Sequence, residues 1–414
     1  MRQFFRILNH HNTAVLGCIL VLVGMIYGRF ILSVGSLLLI TRAVINPEVK
    51  THFYRLWKHK DFLAVASVFL LLAISFFWSD NTKFWGDRLM MKLPFLGMPI
   101  AFLAINKFDK KLLHQLFYFF FWLVSLTAVG SFVVMAFDYE NIIELYSKGQ
   151  VIPLPVNHIR FSLMVVFAIC LGFHFYEKQF FVKNKKEIRA VIGLTVFLII
   201  YLHLIAVRSG LLAFYGVLIY YLIRFFLIGK RKIIGVGLVV LFLGSTWGAY
   251  NFIPTLKNKV DYTWYSVNIF NKKKEMRELS DSRRLGSILA GVEVVKNNPI
   301  LGVGLGDMRD KTEEWLVEHY TDLTGLGLMP HNQFLWILMA VGWLGFAWFM
   351  IAISLPFFFA GGWRDPLFIS FNIILWSSFL VEHTLETQVG MAVYIFPLVM
   401  MMRARLGEFK SIQA

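Results

Sequence analysis

The sequence predicts an all-α membrane protein of about twelve transmembrane helices, with one long extracytoplasmic loop that itself contains a helix. Three observations predict it. Only 16% of the residues are charged and 58% are hydrophobic, where a soluble chain carries about 25% charged residues. The apolar residues fall into runs long enough to span a bilayer. Lys and Arg crowd one side of the resulting alternation. These features exclude secreted disulfide scaffolds, disordered chains and ordinary soluble enzymes. The two cysteines, Cys18 and Cys170, sit in apolar runs and read as small core residues, not as a disulfide or metal pair.

A span needs about 20 mostly apolar residues. Runs that meet this roughly are 12–28, 30–45, 62–78, 88–105, 113–137, 159–177, 189–207, 208–228, 232–253, 331–358, 366–382 and 388–403. No cleavable signal is expected, because no A-x-A-like site follows the run after Arg2 and Arg6. With the N-terminus inside, the inner segments collect twenty-three Lys and Arg, against seven outside the membrane before and after 254–330. That skew places both termini in the cytoplasm and 254–330 outside. The chain divides accordingly into a bundle over 1–253, the loop 254–330, and further spans over 331–414. The net charge of +16 then reflects topology, and no nucleic-acid partner is expected. The loop has eleven basic and eleven acidic residues, so it reads as a small folded element.

Within the loop, Leu285, Ile288, Leu289, Val292 and Val295 recur at helical spacing, with Asp281 or Ser282 as the expected cap and Pro299 beyond the end. Gly302, Gly304 and Gly306 follow. A lone G-x-G-x-G after a helix is a weak phosphate signal, and a flexible turn is the plainer reading.

Charges at the edge of a bilayer invite explanation, since burial costs about 2.5–3.5 kcal/mol on insertion scales. Arg208 joins two apolar runs with no polar loop around it. Arg160 opens the sixth span beside Asn157 and His158, and Arg283 and Arg284 open the loop helix. Several convergent guanidiniums suit a diphosphate; the alternative is that each snorkels to the headgroups or pairs locally. His331, after Pro330 and before Asn332, opens the tenth span, where an imidazole is placed to act as a general base or merely sits at the headgroup boundary. Glu382, His383 and Glu386 share the short turn VEHTLETQ. Their spacing is not a metal-ligand pattern, so no metal and no cofactor is expected. Asp80 in WSDN forms no D-x-D pair with Asp87.

Asn298-Pro299-Ile300-Leu301-Gly302-Val303-Gly304-Leu305-Gly306 resembles the N-P-L-L-G-V-G-x-G turn of the O-antigen ligase and polymerase superfamily. His331-Asn332, then Phe334-Leu335 and Gly342-Trp343-Leu344-Gly345, resemble its H-N-x-x-L…G-x-x-G stretch. Arg284 matches the arginine that begins its loop helix, with Ile288 where Trp is frequent. Arg208-Ser209-Gly210 is similar to its S-R-G-x-x-L junction, with Val207 in place of Ser, and Trp78-Ser79-Asp80 to its W-S-x-D end of the third span.

The resemblance implies a GT-C type, metal-independent and inverting glycosyltransferase of the bacterial inner membrane with a periplasmic active site. The donor would be a glycan on undecaprenyl diphosphate, and the acceptor a sugar hydroxyl on lipid A core (a ligase) or on another lipid-linked glycan (a polymerase). His331 would be the base. Arg208, Arg284 and Arg160 would hold the diphosphate, with Asn332, Asp80, Glu382, Glu386 and His158 in support and membrane lipids around the spans. A transporter or flippase is the rival class. It would favour ionisable groups at mid-membrane and an internal repeat, and the sequence has no such repeat.

Overall fold

A computed structural model describes residues 10–138, 154–178, 184–228 and 276–412, with scattered positions between 229 and 275. The described residues are helical, with no strand. They form two compact units: 1–117, 273–368 and 379–414 in the first, 118–272 and 369–378 in the second.

The first unit begins with a hairpin of α1 (His10–Tyr27) and α2 (Arg29–Ile45). A Cβ on Gly24 would lie 2.2 Å from the Leu32 nitrogen, and one on Gly35 2.7 Å from that of Val21. Small residues thus let the two backbones approach, as in other membrane helix pairs. The chain then bends by 103° into α3 (Val49–Lys58). Next come α4 (Lys60–Ala73), its 3₁₀ extension Ile74–Trp78, and α5 (Thr82–Leu103), capped by Asn81. The second unit holds α6 (Lys110–Phe137) from Tyr118 onward, α7 (His158–Lys178), α8 (Lys185–Ile205) and α9 (Arg208–Ile228). The chain returns to the first unit with α10 (Ser280–Asn297), α11 (Gly304–His319) and α12 (Gln333–Phe358). It ends with α13 (Pro366–Val381), whose middle belongs to the second unit, and α14 (Gln388–Ile412).

Among the described residues seven helices are long and apolar enough to cross a membrane, or eight if the bent pair α2–α3 is one span. Of the twelve anticipated spans, α1 and α13 are shorter apolar helices. α5 carries Lys83, Asp87, Arg88 and Lys92. The run 232–253 lies largely outside the described residues. The loop helix is present as α10, but it starts at Ser280, and its N-cap position is Leu279 instead of the expected Asp281 or Ser282.

α12 is broken. Gly342 has φ 62° and ψ −168°, a region essentially reserved for glycine. The turn 299–303 fills the break. Val303 N–H donates to Met339 O (2.8 Å), the acceptor that Trp343 N–H would have used in an intact helix, and Trp343 N–H donates to Pro299 O (2.8 Å). A Cβ on Gly342 would lie 2.2 Å from Ile300 O, and one on Gly302 2.3 Å from Met339 O.

On the other side of the same turn, α11 docks on the end of α4. Leu305 N–H donates to Ser75 Oγ and Gly306 N–H to Ser79 Oγ, while the Asp307 carboxylate accepts from the backbone of Asp80 and Asn81. Gly342→Ala should therefore cost more than the roughly 1–3 kcal/mol of the backbone strain alone, because its methyl also collides with the inserted turn. Gly130→Ala inside α6, with open space around it, should instead stabilise by about 0.5–1 kcal/mol. Thermal unfolding in detergent reads both.

Candidate functional site

His331 sits in the turn just before α12. Asn332 is the N-cap: its Oδ1 accepts from Leu335 N–H (2.9 Å), and its Nδ2 donates to Leu380 O at the end of α13 (2.9 Å). These bonds fix the His331 backbone against the 382–386 turn.

Glu382 is the centre of the site. Its side chain is only 4% exposed, yet each oxygen has a charged or polar partner. Arg284 Nη2 donates to Oε1 at 2.8 Å, and His331 Nδ1 donates to Oε2 at 3.2 Å. A carboxylate only accepts, so an ionised Glu382 places a His331 proton on Nδ1. The His331 side chain is 32% exposed and that of Arg284 29%, so both reach solvent or a ligand. The His383 ring lies 4.6 Å from that of His331, centroid to centroid. Among the described residues, His331, Glu382 and His383 have ligand atoms close enough to hold a divalent ion.

A second polar group braces the same turn from beneath. Lys92, 1% exposed on α5, donates to Leu385 O (2.7 Å) and to the Glu386 carboxylate, and lies over the Trp336 ring. Gln333 Nε2 donates to Glu386 (3.0 Å), and its Oε1 accepts from Leu385 N–H (2.8 Å). Glu386 thus serves the brace, one step removed from His331. The backbone N–H of Asp80 is held by Asp307 at the α4–α11 junction.

In the second unit, His158 and Arg160 open α7, with Arg160 buried, and Arg208 opens α9 after a left-handed Ala206 (φ 46°). A Cβ on Gly210 would lie 2.5 Å from that of Ser162. This close packing sets the N-terminal ends of α7 and α9 side by side, so Arg160 and Arg208 share one end of that unit.

Sequence reading missed Lys92, Gln333, Ser75 and Asp307, and took Ser79 only as part of the Trp78-Ser79-Asp80 motif. Lys92 carried a signal, a lone charge within the apolar run 88–105.

The fold and site define a multi-pass all-α membrane protein with a histidine, a carboxylate and an arginine joined at one site. Residues 193–350 match the family model described as O-antigen ligase. The match covers 158 of the 414 residues and likens this part of the chain to the O-antigen ligase family. It contains Arg208, Arg284 and His331, whereas Arg160, Lys92, Glu382 and Glu386 lie outside it. No curated protein matches the chain.

The brace makes a stability prediction. Lys92→Met should destabilise by about 3–5 kcal/mol, because it strands a buried carboxylate. The double variant Lys92→Met/Glu386→Leu should recover most of that loss, since an apolar pair replaces an ionic one at little net cost. Thermal unfolding of the three proteins in detergent measures it.

Proposed function

We propose that the chain is a metal-independent, inverting glycosyltransferase of the bacterial inner membrane. It moves a glycan from undecaprenyl diphosphate to a sugar hydroxyl, with lipid A core as the acceptor. The observation that carries this reading is the Glu382 carboxylate, which holds a base with one oxygen and a cation with the other. The base His331 and the cation Arg284 both lie in the segment that matches the ligase model.

The chemistry follows from the groups. With its proton on Nδ1, His331 takes the acceptor hydroxyl proton on Nε2, and the resulting imidazolium faces Glu382. The acceptor oxygen attacks the anomeric carbon from the face opposite the diphosphate. One C–O bond forms as the other breaks, and the electron pair leaves on the diphosphate, which inverts the centre. Arg284 opposes the growing charge of the leaving group with a fork of donors. Asn332 holds the base in place. Glu386 and Asp80 act through the brace and the α4–α11 junction. The assignment of Arg208 and Arg160 to the diphosphate, and of His158 to a supporting role, rests on the sequence alone. Polymerisation onto a second lipid-linked glycan uses the same steps with another acceptor.

The Lys and Arg skew supports a topology with both termini cytoplasmic, spans over 1–253 and 331–414, and 254–330 in the periplasm. Cysteines introduced at exposed positions of 254–330 should be labelled from outside intact spheroplasts; labelling only after lysis would reject this topology.

His331→Ala should lower turnover by roughly 10²–10⁴ with little change in donor affinity. Arg284→Ala should weaken donor binding or turnover, and Arg284→Lys should restore only part of it, because Lys lacks the bidentate fork. The assay uses purified protein, lipid-linked glycan and lipid A core, with products read by gel and EDTA in a parallel reaction. Near-wild-type turnover by folded His331→Ala removes the base assignment. Activity lost in EDTA and restored by Mg²⁺ or Mn²⁺ removes metal independence. Laddering on the lipid carrier in place of transfer to core makes the chain a polymerase.

A further inference from the structure

The first unit has a second polar feature at the far end of α14. The N-terminus of that helix, Gln388, follows the 382–386 turn, and Arg403 lies fifteen residues on, about 22 Å along an α-helix. There a cleft of about 940 Å³ opens between α3, the 103–112 segment and α14. Its walls carry Arg55, Lys58, Lys107, Lys111 and Arg403, against a single acid, Asp109.

That acid is already engaged, as its Oδ1 accepts from Leu112 N–H at the start of α6 (2.9 Å). Among the described residues, none of the five cations has a carboxylate within salt-bridge distance. The two arginines are held by neutral carbonyls instead. Arg55 donates to Leu103 O (3.1 Å), and Arg403 donates to Phe102 O (3.2 Å) and Ile105 O (2.7 Å). Carbonyls fix the direction of a guanidinium without cancelling its charge. The cleft therefore holds a fixed excess of positive charge, with two forked donors set in place and three exposed lysines around them.

The helix that walls it has the character of an interfacial segment. α3 turns 103° away from α2. It buries His52 and Leu56 on one face and exposes Phe53, Tyr54 and Trp57, the last by 71%. Aromatic rings beside basic residues on a helix that departs from the span direction suit a headgroup layer. Fixed positive charge next to that layer suits a phosphate.

We propose that this cleft is a phosphate site that binds the headgroup of an anionic phospholipid. It is separate from the His331 site and does not depend on the glycosyltransferase reading.

The test is native mass spectrometry of the purified full-length chain in detergent, titrated with cardiolipin, phosphatidylglycerol or phosphatidylcholine. The wild type should retain the two anionic lipids over phosphatidylcholine. Lys58→Glu/Lys107→Glu/Lys111→Glu should lower their affinity at least about tenfold, and the milder Lys→Gln triple should weaken it in the same direction. Lys83→Glu/Lys296→Glu/Lys311→Glu changes the net charge equally elsewhere in the unit and should keep the wild-type affinity. Equal retention of all three lipids, or loss that the two Glu triples share, overturns the proposal. A parallel arm adds millimolar inorganic phosphate. If phosphate alone displaces the anionic lipids and raises the unfolding temperature of the wild type as much as they do, the cleft serves a soluble phosphate compound and the lipid assignment falls.

Discussion

The first unit depends on the backbone of one turn replacing a missing piece of helix. At Gly342 the ladder of α12 opens, and Pro299 O and Val303 N–H take the places that an uninterrupted helix would have filled from within. In an apolar surrounding each backbone group left unpaired is costly, so α12 and the 299–303 turn are each incomplete without the other. The glycines follow from this. Gly302 and Gly342 have backbones that L side chains rarely adopt, and a Cβ on either would strike the opposing carbonyl. Because the turn joins α10 to α11, seating it also fixes both helices. α10 brings Arg284 to Glu382, and α11 locks onto the end of α4 through Ser75, Ser79 and Asp307. The site is thereby assembled from backbone pairing first and side-chain charge second.

Two ion pairs stand at the site. Arg284 and Lys92 supply two cations, and Glu382 and Glu386 two carboxylates, and each cation meets one carboxylate directly. Removing any member leaves a buried or half-buried charge without its counterpart, which costs more than the pair contributes. His331 stands outside this balance and is bonded to it through one nitrogen only. Gln333, next to Asn332 in sequence, bonds both Glu386 and the Leu385 backbone. Lys92 therefore positions the turn that carries Glu382 without itself facing the opening.

Much of this was legible in the sequence, and the remainder has a common cause. Helices such as α4, α6 and α12 follow from apolar length, and α10 from the spacing of Leu285, Ile288 and Val292. The glycine motif at 302–306 read as a turn, but only Gly302 lies in the 299–303 turn, and Gly304 and Gly306 open α11. That the turn enters a break in another helix was not readable, because the pairing of Val303 with Met339 belongs to neither segment alone. His331, Arg284 and Glu382 stood out as polar groups at the edges of apolar runs, and the structure brings those three together. Glu386 read as a supporting acid, and its charge is taken by Lys92, which lies nearly three hundred residues earlier in the chain. Asp80 drew notice as a carboxylate, and its backbone N–H is held by the Asp307 carboxylate. Local pattern shows which residues need a partner. It does not show which partner the fold supplies.

The same reasoning bears on α14, which is buried over nearly all of its length from Val389 to Arg405. Its polar contacts lie at its two ends. At one end Gln388 bonds Ser33 beside the 382–386 turn. At the other, Arg403 bonds the carbonyls after α5, and Arg405 pairs with Asp365 while lying over the Phe368 ring. Polar anchors at both ends of an apolar, packed helix fix its position along its own axis, because a slide of one turn would draw an arginine into the apolar layer. The separation of about 22 Å is shorter than a hydrocarbon core of about 30 Å. Both ends can therefore reach the headgroup layers only where the helix stands close to upright and polar side chains extend its reach. At one end Arg403 is held by the Phe102 and Ile105 carbonyls and Arg405 by Asp365. At the other end the recessed 382–386 turn lets Glu382 stay buried while His331 and Arg284 face outward.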